Sequence, residues 1–117
     1  MAVKGMFVSA RETRRYAAGD VIFAQGDPSA EMYGVVSGSV QLSADGQPVV
    51  TVGPEATFGE MGLIDSTARS LTATAVEPSE IAVIDERTFL FLVQETPMFA
   101  LQVMRALAAR IRELDQS

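Results

Sequence analysis

The sequence contains no cysteine, no histidine and no tryptophan. Without cysteine the chain has no disulfide, no thiolate nucleophile and no cysteine-ligated zinc or iron–sulfur centre. Without histidine it lacks the Ser-His-Asp triad, histidine-ligated metal sites and the usual general base near pH 7. A metal could be held only by oxygen ligands. We therefore expect a protein that is not an enzyme and that carries neither a metal nor a cofactor.

Basic residues and long apolar runs are also scarce. Lys and Arg total 9 against 15 Asp and Glu, which gives a net charge of −6. Because this balance repels a phosphate backbone, nucleic acid is not expected as a direct partner. No stretch is typical of a secretory signal or long enough to span a membrane. These features favour a cytoplasmic protein without membrane insertion.

Turn residues punctuate the first two thirds of the chain at short intervals. Pairs such as Gly26-Asp27 and Asp45-Gly46 recur about every seven to twelve residues and separate β-rich runs. The run 70–75 alternates hydroxyl-bearing and apolar residues, which is typical of a strand with one face on a core. We predict an antiparallel β barrel or jelly roll of about seven or eight strands over residues 16–85. Residues 1–15 are expected to form a short, loosely packed lead-in.

The hydrophobic period changes after residue 85. The pattern predicts helices at about 86–95 and 97–115, the second opened by Thr96 as cap and Pro97 as first helical residue. The fold class is therefore mainly β with two C-terminal helices. The apolar stripe along residues 100–114 is wider than one contact with a barrel requires. It either lies wholly on its own barrel, or part of it meets another chain or closes over a site.

One basic residue stands out by its position. Between residues 16 and 86 Arg69 is the only base, against eleven acids, and it is placed at the start of a predicted strand. Its planar fork suits a phosphate or a carboxylate. Gly59 and Gly62 would let backbone N–H groups approach an anion, and Glu60 could accept hydrogen bonds from sugar hydroxyls. The pattern favours a ligand with one phosphate and one ribose, and the alternative is a structural ion pair.

The segment from Phe58 to Ala73 closely resembles the phosphate-binding cassette of cyclic nucleotide-binding domains. In that family the pattern is roughly F-G-E-x-[AG]-L, a short insertion, then R-[ST]-A-[TS]. Residues 16–38 are similar to the family's early barrel strands, and residues 89–114 to its two C-terminal helices. The resemblance covers about residues 14–115. It implies that residues 16–117 form a regulatory module that binds cAMP or cGMP and signals to an effector protein through the last helix.

The resemblance also implies a role for individual residues. Arg69 and Ser70 would hold the cyclic phosphate, Glu60 would accept from the ribose 2′-hydroxyl, and a short helix around residues 61–63 would point its N–H groups at the phosphate. Serine rather than threonine at position 70 favours cAMP over cGMP. The full set of implied ligand-binding residues is Phe58, Gly59, Glu60, Met61, Gly62, Arg69, Ser70 and Leu71. The hydroxyl residues that catabolite-activator-type members place on the last helix are absent or different here, and Arg110 is the nearest residue of that helix to reach the ligand.

The chain departs from the family pattern on either side of the arginine. Ala68 stands where proline is usual, which loosens the loop without removing a contact. Leu71 stands where alanine is usual, and would crowd the base if it faces the pocket. An alternative function is therefore a relative that does not bind nucleotide and acts as a dimerisation or docking domain. A homodimer would use residues 100–114. Retention of Glu60, Arg69 and Ser70 argues against this alternative.

Overall fold

The computed structural model describes Phe7, residues 12–65 and residues 68–115. These residues form eight strands and three helices. The strands are β1 (Glu12–Tyr16), β2 (Val21–Phe23), β3 (Met32–Ser37), β4 (Val40–Ala44), β5 (Gln47–Val52), β6 (Thr57–Phe58), β7 (Thr72–Ala75) and β8 (Ser79–Ile84). The helices are α1 (Glu60–Asp65), α2 (Glu86–Glu95) and α3 (Met98–Asp115).

The strands form two four-stranded sheets. One sheet has the order β1-β8-β3-β6 and the other the order β2-β7-β4-β5, and each paired neighbour is antiparallel. The predicted antiparallel jelly roll with C-terminal helices is confirmed. Its main core contains aromatic and aliphatic side chains from both sheets, namely Phe23, Tyr33, Val35, Val40, Leu42, Val52, Phe58, Ala73, Ile81 and Val83.

Strand β8 is buried on both of its faces. Ile81 and Val83 point into the main core, whereas Ala82 and Ile84 belong to a second apolar cluster. This division follows from the period of two along a strand, which sends successive side chains to opposite faces. The second cluster includes Leu92 of α2 together with residues of α3. The two long helices are therefore held against the outer face of the first sheet.

The expected loosely packed lead-in is wrong for the part that the structure describes. Residues Glu12–Tyr16 form β1, which pairs along its whole length with β8. Phe7 is 1% exposed and packs edge-on against Phe99. A Cβ on Gly34 would lie only 2.7 Å from this ring. The sheet therefore begins at residue 12 rather than 16. Residues 1–6 and 8–11 are not among those that the structure describes.

The two C-terminal helices are confirmed. Asp85 caps α2 by accepting a hydrogen bond from the backbone N–H of Thr88 at 2.8 Å. The second helix begins at Met98, one residue later than predicted. Along α3 the wide apolar stripe divides: Phe99 and Val103 are buried, whereas Leu101, Met104 and Ile111 are exposed. No helix among the described residues is long and apolar enough to cross a membrane.

Candidate functional site

A cavity of about 430 Å³ opens between the second sheet, α1 and α3. This volume lies within the range of roughly 300–1,000 Å³ common for small-molecule pockets. It is lined by Phe23, Leu42, Ala44, Val49, Gly59, Glu60, Met61, Gly62, Ala68, Arg69, Ser70, Leu71, Leu107, Arg110 and Ile111. The structure thus brings together all of the residues implied by the cassette resemblance except Phe58. That ring is fully buried in the core, stacked on Tyr33 with centroids 5.3 Å apart.

The backbone of Arg69 is hydrogen-bonded to the turn at Gly26 and Asp27 and is not part of a strand. Strand β7 begins only at Thr72, so the expectation that Arg69 opens a strand is wrong. Instead the N–H of Arg69 donates to the carbonyl of Asp27 at 2.9 Å, and its carbonyl accepts from the N–H of Gly26 at 2.8 Å. This pair of hydrogen bonds fixes the position from which the side chain enters the cavity wall.

The Arg69 guanidinium is buried and is bound by neutral groups. Nη1 donates to the carbonyl of Gly59 at 2.9 Å and Nη2 to the carbonyl of Glu31 at 2.8 Å. The guanidinium also lies 4.2 Å from the centroid of the Phe23 ring, a favourable cation–π distance. Its Nε is buried without a hydrogen-bond partner. The side chain as a whole is only 7% exposed.

The alternative in which Arg69 serves a structural ion pair finds no support among the described side chains. Among the described side chains the ion pair is that of Arg14 with Glu12, which is exposed and is distant in sequence from the residues that line the cavity. A buried cation without a carboxylate partner is costly, because the carbonyl dipoles offset only part of its lost hydration. The cavity therefore presents a guanidinium that has no ion-pair partner among the described side chains, which suits an anionic ligand.

Two glycines make room for this guanidinium. Gly59 adopts a positive φ of 75°, and a Cβ there would lie 2.9 Å from Nη1 of Arg69. A Cβ on Gly62 would lie 2.5 Å from the same nitrogen and 2.7 Å from Cβ of Ser29. The N–H of Gly62 donates to the carbonyl of Gly59 at 3.2 Å. The two glycines therefore leave room for the Arg69 side chain. From the sequence we expected them instead to let backbone N–H groups contact the ligand.

Glu60 begins helix α1 and is 3% exposed. Its Oε2 accepts a hydrogen bond of 2.6 Å from Oγ1 of Thr57, in a fully buried contact. Thr57 was not among the residues expected at the site. The only signal in the sequence is its spacing of three residues from Glu60, which is typical of a helix cap rather than of a ligand site.

The cavity wall away from Arg69 and Glu60 is aliphatic. It consists mainly of Leu42, Ala44 and Val49 from β4 and β5, together with Leu71, Leu107 and Ile111. Leu71 therefore faces the cavity, the orientation in which we expected it to crowd a base. Sequence patterning could not assign these residues to the wall, because alternation does not show which strand face meets a cavity and which meets a core.

Two side chains of α3 form hydrogen bonds to the backbone beside the cavity. Nε2 of Gln102 donates to the carbonyl of Glu55 at 2.7 Å, and Nη2 of Arg110 donates to the carbonyl of Thr57 at 3.1 Å. The two acceptors lie just before β6 and in its first residue. Arg110 thus reaches the cavity from α3, as predicted, while it is also bound to the backbone next to Glu60.

Tyr33 remains protonated beneath the arginine. Burial first, and the neighbouring Glu31 carboxylate second, raise the pKa of its hydroxyl above the ordinary value of 10.0. The hydroxyl donates to Oε1 of Glu31 at 3.3 Å. Among the described residues no group of three or more acidic side chains could hold a metal ion. Among the described residues, the polar side chains at the cavity are therefore those of Arg69, Arg110, Glu60 and Ser70, beside an apolar wall.

The family model of the cyclic nucleotide-binding domain matches residues 13–96. The chain belongs to this family. The matched residues include 59–62 and 68–71, which line the polar end of the cavity. The resemblance seen in the sequence is thereby confirmed, as is the fold that it implies.

Relatives of this cyclic nucleotide-binding domain include bacterial regulators. The cyclic AMP receptor protein of Thermus thermophilus is 36% identical over 109 residues, which cover 89% of this chain and 50% of that protein. The crystal structure of the Thermus thermophilus catabolite activator protein has a TM-score of 0.74 at 37% identity, covering 89% of this chain and 51% of that one. The domain spans about half the length of the curated regulators that it matches.

A third similarity covers nearly all of both chains. A solved chain described with a cyclic-GMP-dependent signalling pathway that regulates bacterial phytopathogenesis has a TM-score of 0.75 at 30% identity. The match covers 92% of this domain and 89% of that chain. Proteins similar to this domain are therefore described with cyclic AMP and with cyclic GMP.

Proposed function

We propose that the chain is a sensor that binds a cyclic nucleotide in the cavity beside α3. The observation that carries this proposal is the buried Arg69 guanidinium, which has no carboxylate partner among the described side chains and keeps an unpartnered Nε. A singly charged cyclic phosphate would supply the missing negative charge. Charge-assisted hydrogen bonds of this kind are worth about 1.5–3 kcal/mol each.

The ligand would be held at its sugar and phosphate by polar groups. Arg69 would bind the phosphate, with Ser70 at the exposed rim of the same wall. Glu60 would accept from the ribose 2′-hydroxyl, because a carboxylate that receives one bond from Thr57 retains further lone pairs. Arg110 would contact the ligand from α3. This orientation leaves the base against the aliphatic wall.

Adenine suits that aliphatic wall better than guanine does. Guanine carries one more exocyclic polar group than adenine, and each buried polar group without a partner costs about 1–3 kcal/mol. The residues that line this wall offer few groups to receive them apart from Arg110; they are Leu42, Ala44, Val49, Leu107 and Ile111. Ser70 supports the same preference through the family pattern. We therefore propose cAMP as the better ligand and cGMP as the weaker one.

Occupancy would be passed on through α3. Leu107, Arg110 and Ile111 of this helix line the cavity, while Leu101 and Met104 are exposed on the same helix. A ligand that changes the packing of the lining residues would also move the exposed ones. We propose that these exposed residues within 100–114 contact a second copy of the chain or an effector protein, and that the domain acts by binding and not by catalysis.

Calorimetric titration of the purified chain with cAMP, cGMP and 5′-AMP tests the proposal. We expect micromolar or tighter binding of cAMP, weaker binding of cGMP, and no heat with 5′-AMP, whose dianionic phosphate and free 3′-hydroxyl replace the cyclic ester. Absence of heat with all three nucleotides, from a sample shown to be folded, would contradict the proposal. That result would favour the docking-domain alternative.

A further inference from the structure

We propose that Thr57 is a positioning residue for nucleotide recognition: its hydroxyl orients Glu60 towards the ribose. The proposal rests on the function proposed above and assigns a role to a residue outside the segment that lines the cavity. Thr57 is 2% exposed and does not line the cavity. It would therefore act on the ligand only through Glu60.

The contact between the two side chains is short and buried. Oγ1 of Thr57 donates to Oε2 of Glu60 at 2.6 Å, which is the distance typical of a hydroxyl bound to an ionised carboxylate. Glu60 is 3% exposed, so its side chain has little water to compete for that bond. A carboxyl group held at one oxygen in this way is restricted in its rotation, and its other lone pairs remain available to a ligand.

The alternative role of Thr57 as a helix cap does not fit the geometry. The Thr-x-x-Glu spacing is that of a capping box, in which the hydroxyl accepts from a backbone N–H in the first helical turn. Here Thr57 lies in strand β6 and α1 begins only at Glu60. The hydroxyl donates instead to the carboxylate itself. The bond thus fixes a side chain and leaves the helix terminus unaffected.

The backbone of Thr57 also contacts the last helix, α3. Its carbonyl accepts from Nη2 of Arg110 at 3.1 Å, while its hydroxyl donates to Glu60. One residue therefore contacts both the carboxylate expected at the ribose and the arginine that reaches the cavity from α3. This arrangement places the ribose-reading group at a fixed position relative to α3.

The test compares cAMP with 2′-deoxy-cAMP in three proteins: wild type, Thr57→Val and Thr57→Ser. Valine removes the donor at nearly constant volume, and serine keeps it. In the wild type we expect 2′-deoxy-cAMP to bind about 10–100-fold more weakly than cAMP, because a hydrogen bond to a charged group is lost. In Thr57→Val this ratio should fall to about threefold or less, and Thr57→Ser should retain it.

A purely structural role for Thr57 would weaken both ligands by the same factor and leave the ratio unchanged. An unchanged ratio in a folded Thr57→Val protein, or loss of the ratio in Thr57→Ser, would overturn the proposal. Should Thr57→Val fail to fold, Thr57→Ala removes the same donor and carries the same comparison. Failure of the wild type to bind cAMP at all would overturn the proposed function as well, so the two failures are distinguishable.

Discussion

Replacing Arg69 with methionine separates the roles of its charge and its volume. Methionine fills much of the space of the arginine stem and can still pack on Phe23, but it removes every donor of the guanidinium. The carbonyls of Gly59 and Glu31 then lose bonds of 2.9 and 2.8 Å. The cavity loses its buried positive charge. Both consequences can be measured in the same protein.

The substitution should weaken both ligand binding and folding. Truncating one partner of a buried, hydrogen-bonded charge pair costs about 2–4 kcal/mol, which corresponds to roughly 30–700-fold in Kd. Two carbonyls without donors would cost about 1–3 kcal/mol each. That cost is reduced because a desolvated cation with no described carboxylate partner is also removed. We expect the unfolding free energy to fall by no more than about 3 kcal/mol.

Calorimetry with cAMP and denaturant unfolding without ligand give the two quantities. Arg87→Met is the matched control, since it makes the same change of charge and shape at an exposed position on α2. The control should leave both the Kd for cAMP and the unfolding free energy nearly unchanged. Unaltered cAMP affinity in a folded Arg69→Met protein would refute the assignment of Arg69 to the phosphate.

Three further predictions concern packing, pH and association. Gly62→Ala should weaken cAMP binding about tenfold and destabilise the domain by about 1–3 kcal/mol, because the clash of a Cβ 2.5 Å from Nη1 of Arg69 outweighs the better helix propensity of alanine. Calorimetry and urea unfolding measure the two effects. The control Gly53→Ala, which has open space around it, should change neither the cAMP affinity nor the stability. Since the pKa of Tyr33 is raised above 10.0 in the folded chain, its contribution to stability is intact below that pH and is lost as the pH rises further. Tyr33→Phe should therefore show a shallower alkaline fall in unfolding free energy than the wild type, and an identical fall would contradict the shift. Met104→Glu on the exposed face of α3 should weaken self-association in sedimentation without lowering the melting temperature, and undiminished association would remove this face from the interface.

The two long helices and the central strands could be predicted because local signals agree with the fold. The alternating run 70–75 contains β7 (Thr72–Ala75), and the period change after Ile84 marks the start of α2. Asp85 caps the start of α2 with its side chain, as its chemistry favours, and Thr96 ends the same helix through its backbone N–H. These elements carry their own pattern, so no tertiary information was needed.

Strands β1 and β6 could not be predicted, because their pairing decides their structure. Strand β1 (Glu12–Tyr16) carries charged residues and is exposed almost throughout, so its sequence shows no buried face. It is a strand because its backbone pairs with β8. Strand β6 has only two residues and depends on β3 for its partners. Neither pairing leaves a signal in the local sequence.

The cassette segment gave most of the polar end of the site, and the remainder depends on tertiary contacts. Arg69 was recognisable as an isolated base, but its contacts with the carbonyls of Gly59 and Glu31 join segments distant in sequence. The aliphatic wall from β4 and α3 likewise forms only after the sheet and helix meet. Thr57 was missed because its spacing from Glu60 has a commoner meaning, that of a helix cap.

A crystal structure of the chain with cAMP is the most direct test of the proposed nucleotide site. We expect a phosphate oxygen within hydrogen-bond distance of the Arg69 guanidinium. We also expect the ribose 2′-hydroxyl to contact Glu60 and the adenine to lie against the aliphatic wall beside α3. Nucleotide bound elsewhere on the domain, or in this cavity with its phosphate away from Arg69, would refute the proposed site.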